Sequence, residues 1–176
     1  MPESFEPRPR PPAGITSRLV LDFFAYWERI RARRTAPSWA DVNPAAIKHL
    51  LPYLLVGEVQ HEPFDLRYRL VGSEVVASYG YDPTWDSLRS THRAAEDIWF
   101  QLYRRVIDTG LPCFGQYSLP TGPGELARVD TGSFPLAKPG GAIDRVIEVE
   151  DWDMARGLKH RLVDPSAWRF QILDGA

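Results

Sequence analysis

The chain has 176 residues, 44% of them hydrophobic and 25% charged, which suffices for one globular domain with a buried core. Its net charge of −2 excludes a strongly electrostatic nucleic-acid binder, because that role needs a basic stripe. The one cysteine, Cys113, excludes an internal disulfide and fits a reducing cytoplasm, and no run approaches the ~18 apolar residues of a membrane span.

Residues 1–16 hold five prolines among mixed Glu and Arg, which predicts a flexible arm without the apolar core of a signal peptide. Thr16 or Ser17 then caps a helix running to about Arg34. Val20, Phe23, Phe24, Trp27 and Ile30 form its apolar stripe, widened by Leu19 and Tyr26. Arg29, Arg31, Arg33 and Arg34 crowd its carbonyl end, where cations are favoured. So broad a stripe packs either on its own domain or on a second chain. Asn43 before Pro44 starts a second helix, which Pro52 ends.

Residues 53–60 are a nearly continuous apolar run of strand length. After the turn His61-Glu62-Pro63, residues 64–71 alternate. Phe64, Leu66, Tyr68 and Leu70 share the buried face, and Arg67 and Arg69 the wet one. The two runs form a hairpin. Gly72 breaks the strand. Ser73 caps a short helix with Val75, Val76 and Tyr79 on its apolar side, and Gly80 stops it. A loop over 81–90 leads to a long helix from Ser90 or Thr91 to about Asp108, closed by Gly110. Its stripe is Ala95, Ile98, Trp99, Leu102 and Val106, flanked by Tyr103.

Three strands follow. In residues 113–119, Cys113 and Tyr117 share the inward face, and Phe114 takes the other. Residues 126–136 change phase near Gly132, which predicts a bulge there. Residues 143–152 carry Asp144, Glu148 and Glu150 on a wet side. The tail gives one short helix and a last strand at 168–173. Two strands, a helical crossover and three strands make an α+β domain, one antiparallel sheet with helices on one face.

Two stretches carry a family likeness. Phe64, Arg67, Tyr68, Arg69, Leu70, Val71 and Gly72, followed by Tyr79, Gly80, Asp82 and Thr84, resemble a segment of small bacterial single-domain PAS-like proteins. Trp85 stands where that pattern usually has glycine. Pro37, Asp41, Pro44, Ile47, Leu50, Leu51 and Pro52 match a second segment. The resemblance covers about residues 19–152. It implies a PAS-like five-stranded antiparallel sheet with a core over 53–152, N-terminal helices over 17–52 and a C-terminal extension over 153–176. It also implies a cavity between sheet and long helix. Tyr68, Leu70, Val76, Trp99, Tyr103, Cys113 and Tyr117 are then the ligand-binding candidates, for a small apolar ligand. A homodimer through the leading helix and a protein partner follow from the same resemblance.

The residues themselves show no catalytic or metal motif: no GxSxG, HExxH, CxxC, Walker A or GxGxxG. His49, His61, His92 and His160 have no i, i+4 pair. Cys113 reads as a small buried hydrophobe rather than a flavin anchor, since it begins a strand. His92 reads as a helix-end residue rather than a haem ligand. No cofactor is therefore assigned. The reading is a stand-alone sensory or regulatory protein of the cytoplasm, without enzymatic activity. A small cone-shaped enzyme of the ketosteroid-isomerase kind is the alternative, or an interaction module without ligand. The enzyme needs an inward carboxylate or His of shifted pKa, and every strand acid except Asp130 reads as wet.

Overall fold

Strands β1 (Leu54–Gln60), β2 (Asp65–Val71), β3 (Cys113–Gly122), β4 (Glu125–Ala137), β5 (Ile143–Glu150) and β6 (Arg169–Leu173) form one antiparallel sheet, ordered β2-β1-β5-β4-β3-β6. The computed structural model describes residues 9–91, 97–122, 125–161 and 169–173. The expected α+β sheet is present with six strands rather than five, because the tail strand pairs with β3. Gly115 makes that pairing possible: a Cβ there would collide with the Phe170 ring.

Helices α2 (Ser73–Tyr79), α3 (Leu88–Thr91) and α4 (Ile98–Thr109) lie in the crossover between β2 and β3. Val75, Leu102, Tyr103 and Val106 pack with Leu55, Tyr117, Leu119, Val129 and Val146 of the sheet. The leading helix α1 (Arg18–Arg31) covers the opposite face. There Val20, Phe23 and Trp27 meet Phe114, Phe134, Leu136, Ile147 and Val149. The stripe of α1 therefore packs on the chain's own sheet. Burying Phe23 and Trp27 contributes roughly 2–3 kcal/mol each. No described helix is long and apolar enough to cross a membrane.

Asp130 fixes where α1 begins. It is wholly buried on the α1 side of β4. Its Oδ2 accepts from the backbone N–H of Thr16 (2.6 Å) and Ser17 (2.8 Å), and its Oδ1 from Gln116 Nε2 (2.8 Å). A carboxylate suits this place, where unpaired N–H groups and the helix dipole are positive. Ser17 Oγ accepts from Val20 N–H as the helix cap and donates to Asp151 Oδ2 at 2.6 Å. So residues 9–16 do not all behave as an arm: Ile15 is buried, and Gly14 O accepts from Gln116. Residues 1–8 lie outside the described part.

Several expectations are corrected. Residues 39–53 form three short 3-10 turns, Trp39–Asp41, Pro44–Ile47 and Leu51–Tyr53, instead of one helix from Asn43 to Pro52. Asn43 does cap its turn, accepting from Ala45 N–H, and Pro44 follows it. The anchors Ile47 and Leu50 are three apart, which suits the tighter turn. The long helix starts at Ile98, with Asp97 as its cap, and α3 is separate from it. Ala95, His92 and Trp168 lie outside the described residues. Ser73 is the first residue of α2, and Gly72 occupies the cap position.

The bulge expected at Gly132 is absent, and β4 keeps strict alternation there. Ala127 and Val129 face α4, while Phe134 and Leu136 face α1. The apparent phase change arises because the apolar residues serve one face first and the other later. A bulge does occur in β2. Val56 opposes Leu70, and Gly57 opposes Tyr68, so Arg69 is the extra residue. Leu70 is thereby turned outward and is 43% exposed.

Gly72 ends β2 beside the turn at 51–53. Its N–H donates to Leu54 O at 2.7 Å. A Cβ there would meet the backbone carbonyls of Pro52 and Leu51, which cannot swing aside as a side chain can. Gly72→Ala is expected to cost roughly 2–3 kcal/mol through overpacking, read as a lower urea midpoint at unchanged slope.

Candidate functional site

A cavity of about 420 Å³ lies between the sheet and α4. Its walls are aromatic: Tyr68 from β2, Tyr79 from α2, Trp99 and Tyr103 from α4, Tyr117 from β3 and Phe170 from β6. Trp99 and Phe170 are tilted by 30° to each other, with centroids 4.2 Å apart. Tyr117 sits 5.5 Å from Trp99 and 5.0 Å from Phe170. Tyr81, half exposed, and Asp97 also border the space. The edge strand β2 is sealed by the loop that follows α2. Tyr68 N–H donates to Asp86 O, and Trp85 N–H to Tyr68 O at 2.8 Å. Trp85 adopts φ 80°, a conformation glycine takes freely, at the place where the sequence resemblance predicts glycine.

The floor is polar, and here the sequence reading is overturned. Glu148 and Glu150 face the cavity and are 2% and 1% exposed. They were expected on a wet face. Alternation correctly separates them from Ile147 and Val149. It cannot reveal that helices cover both faces of β5, so neither side is wet. Asp144, at the strand's start, is half-buried.

Glu150 is the better satisfied of the two. Its Oε1 accepts from Tyr79 Oη (2.9 Å) and Tyr117 Oη (3.1 Å), and its Oε2 from Trp152 Nε1 (2.7 Å). Burial nonetheless pushes its pKa up to about 7, and the three donors only moderate that rise. Glu148 is also raised well above the usual carboxylate range, by burial first and by Glu150 next. Tyr103 Oη donates to Glu148 Oε2. Glu148 Oε1 has no partner in hydrogen-bonding geometry. Ser133 and Thr131, paired across the ladder from Glu148 and Glu150, have hydroxyls in the same condition. Burial and the two carboxyls hold Tyr68, Tyr79, Tyr103 and Tyr117 protonated, well above their ordinary range.

Of the residues proposed from sequence, Tyr68, Trp99, Tyr103 and Tyr117 come together around this cavity. Three do not line it. Leu70 is turned out by the bulge. Val76 is partly buried beside the core residue Val75. Cys113 packs in the core on the cavity side of the sheet without reaching the space. Tyr79, Phe170, Glu148 and Glu150 were missed. One signal for the acids was available: Val146 precedes them on the same face of β5, and the large apolar Trp152, wholly buried, follows two residues after the strand. Among the described residues, no group of three His, Cys, Asp or Glu side chains could hold a metal ion.

The sheet order, the crossover helices and the cavity between sheet and α4 agree with one comparison. A family model described as a PAS domain matches residues 15–145. The chain belongs to the PAS domain family. A search of curated proteins returns no match. The PAS match ends at residue 145, just before Glu148 and Glu150. It does include α1, so the leading helix on the outer face of the sheet is part of the matched PAS domain.

Proposed function

We propose that this PAS domain is a sensory or regulatory protein of the cytoplasm that holds a small molecule in its cavity and has no enzymatic activity. Membership in the family supports a sensory or regulatory role in general. The observation that carries the ligand reading is the cavity itself, whose volume lies within the ~300–1,000 Å³ usual for small-molecule sites. Besides the sheet strands, its lining includes α2, α4 and the loop at 81–83, so an occupant touches elements that can transmit its presence. Output passes through association with a protein partner, a homodimer included. Because the stripe of α1 is already used on its own sheet, such a contact falls on the outer side of that helix.

One observation favours the second reading, a small enzyme of the ketosteroid-isomerase kind: the inward acids it requires exist. Glu150, however, has all its hydrogen bonds directed at fixed donors, which occupies the lone pairs a general base uses. That leaves Glu148 as the carboxyl with an unpaired oxygen, Oε1, which is itself buried.

Native mass spectrometry of the purified chain, against the same sample denatured, tests the proposal. The expected result is a mass excess that denaturation removes, with the released molecule chemically unaltered after prolonged incubation. A conversion product would move the protein to the enzyme reading. No excess, together with no ligand-dependent rise in melting temperature across a metabolite panel, would leave a packed interaction module.

A further inference from the structure

We propose that the ligand is an organic ammonium ion: an N–H-bearing cationic head held by Glu148, on a flat or apolar body held between the aromatic walls. This rests on the reading of the cavity as a ligand site and names the class it takes. The first observation is the unpartnered oxygen. Glu148 is 2% exposed and lines the cavity, and its Oε1 is buried without a partner in hydrogen-bonding geometry, although the Ser133 hydroxyl across the ladder still favours its ionised form. A buried acceptor without a partner costs free energy that a ligand N–H recovers.

The second observation is the wall. Tyr68, Tyr79, Trp99, Tyr103, Tyr117 and Phe170 surround the two carboxylates. Ring faces carry a negative quadrupole, and a desolvated cation among them gains attraction from several at once. The third is the sign of the field. Glu148, Glu150 and, at the border, Asp97 are the charged side chains that line the space, and among the described residues no Lys or Arg does. The four tyrosines contribute hydroxyl dipoles and no charge, since burial keeps them protonated. An anion entering here meets two buried acids. A neutral apolar ligand leaves the floor unpaired. A cation satisfies both floor and wall, and it draws the two carboxyls, raised by burial, back to their ionised form.

Isothermal titration calorimetry on the full chain at pH 8 decides this, with benzylamine, benzyl alcohol and benzoate as probes of one size and three charges. Benzylamine is expected to bind at least tenfold tighter than either of the others. Glu148→Gln, which keeps the shape and removes the charge, is expected to bring benzylamine to within about threefold of benzyl alcohol. If that variant fails to fold, the comparison on the unaltered chain decides alone. Benzyl alcohol or benzoate binding as tightly as benzylamine overturns the ammonium assignment and leaves the cavity a ligand site. Undiminished benzylamine binding by a folded Glu148→Gln overturns the role given to Glu148. Failure of all three probes to bind overturns the ammonium assignment, while the ligand reading beneath it is decided separately by the mass measurement.

Discussion

Asp130→Ala is expected to be the most destabilising single substitution proposed for this protein, costing about 3–5 kcal/mol. The carboxylate is wholly buried and accepts from two backbone N–H groups and the Gln116 amide. Alanine leaves the Thr16 and Ser17 N–H groups and Gln116 Nε2 without that acceptor, and each buried orphan costs roughly 1–3 kcal/mol. It also unfastens the start of α1, whose Ser17 holds Asp151 across the same junction. Against a total stability of ~5–15 kcal/mol for a domain, this is a large share. Thermal unfolding by circular dichroism is expected to show a fall of roughly 10 °C or more, at ~2–4 °C per kcal/mol for a chain of this length. Asp130→Asn retains an acceptor oxygen and is expected to fall between the two. A melting temperature for Asp130→Ala within 3 °C of the parent, roughly 1 kcal/mol on the same scale, would show that the junction does not anchor the helix.

Stability is also expected to decline as pH rises from about 4.5 to about 7, the reverse of what carboxylates in ion pairs produce. Glu150 carries a pKa near 7 in the folded chain against an ordinary value of 4.5. Between those two values the folded state binds the proton that the unfolded state has released, so raising the pH favours unfolding. The full stabilisation is present below about pH 4.5 and is gone above about pH 7. The size is on the order of 3 kcal/mol for Glu150 alone. Glu148 and Asp151, both raised chiefly by burial, act in the same direction. Asp41 acts oppositely. Arg34 and Ser38 hold its pKa down to about 2, so its contribution is lost below the window, as pH falls from its ordinary 3.8 toward 2. Urea unfolding at pH 5, 6, 7 and 8 measures the trend. The double substitution Glu148→Gln, Glu150→Gln is expected to flatten it. A parent chain equally stable at pH 5 and pH 8 would show that the two acids are not desolvated together. An ammonium ligand would reverse part of the decline, because its charge favours the ionised carboxylates that the empty cavity disfavours.

The family likeness drawn from residues 64–84 and 37–52 needed no coordinates, and neither did most of the element order. The β1–β2 hairpin followed from an apolar run, a turn and an alternating run. The ends of α2 and α4 followed from Gly80 and Gly110, each in the left-handed conformation at the helix end. Within β3, parity alone put Cys113 and Tyr117 on one side and Phe114 on the other, as the two apolar clusters confirm. These features depend on local chemistry and on the period of the chain, which a linear string contains. The positions of Leu70 and of the acids Glu148 and Glu150 do not. A single extra residue in β2 reverses the phase after Arg69, and nothing in residues 65–71 marks the place. Periodicity separates Glu148 and Glu150 from Ile147 and Val149. It does not state which set meets water, because that depends on whether a distant segment covers each face. Here α1 takes one face of β5 and the crossover helices take the other, so both sets are buried. The sequence alone determined most of the strands, the glycine ends of α2 and α4, and the parity of side chains within β3 and β5. Tertiary packing decided that two carboxylates lie under an aromatic cavity, because burial is a property of what covers a residue and not of the residue itself.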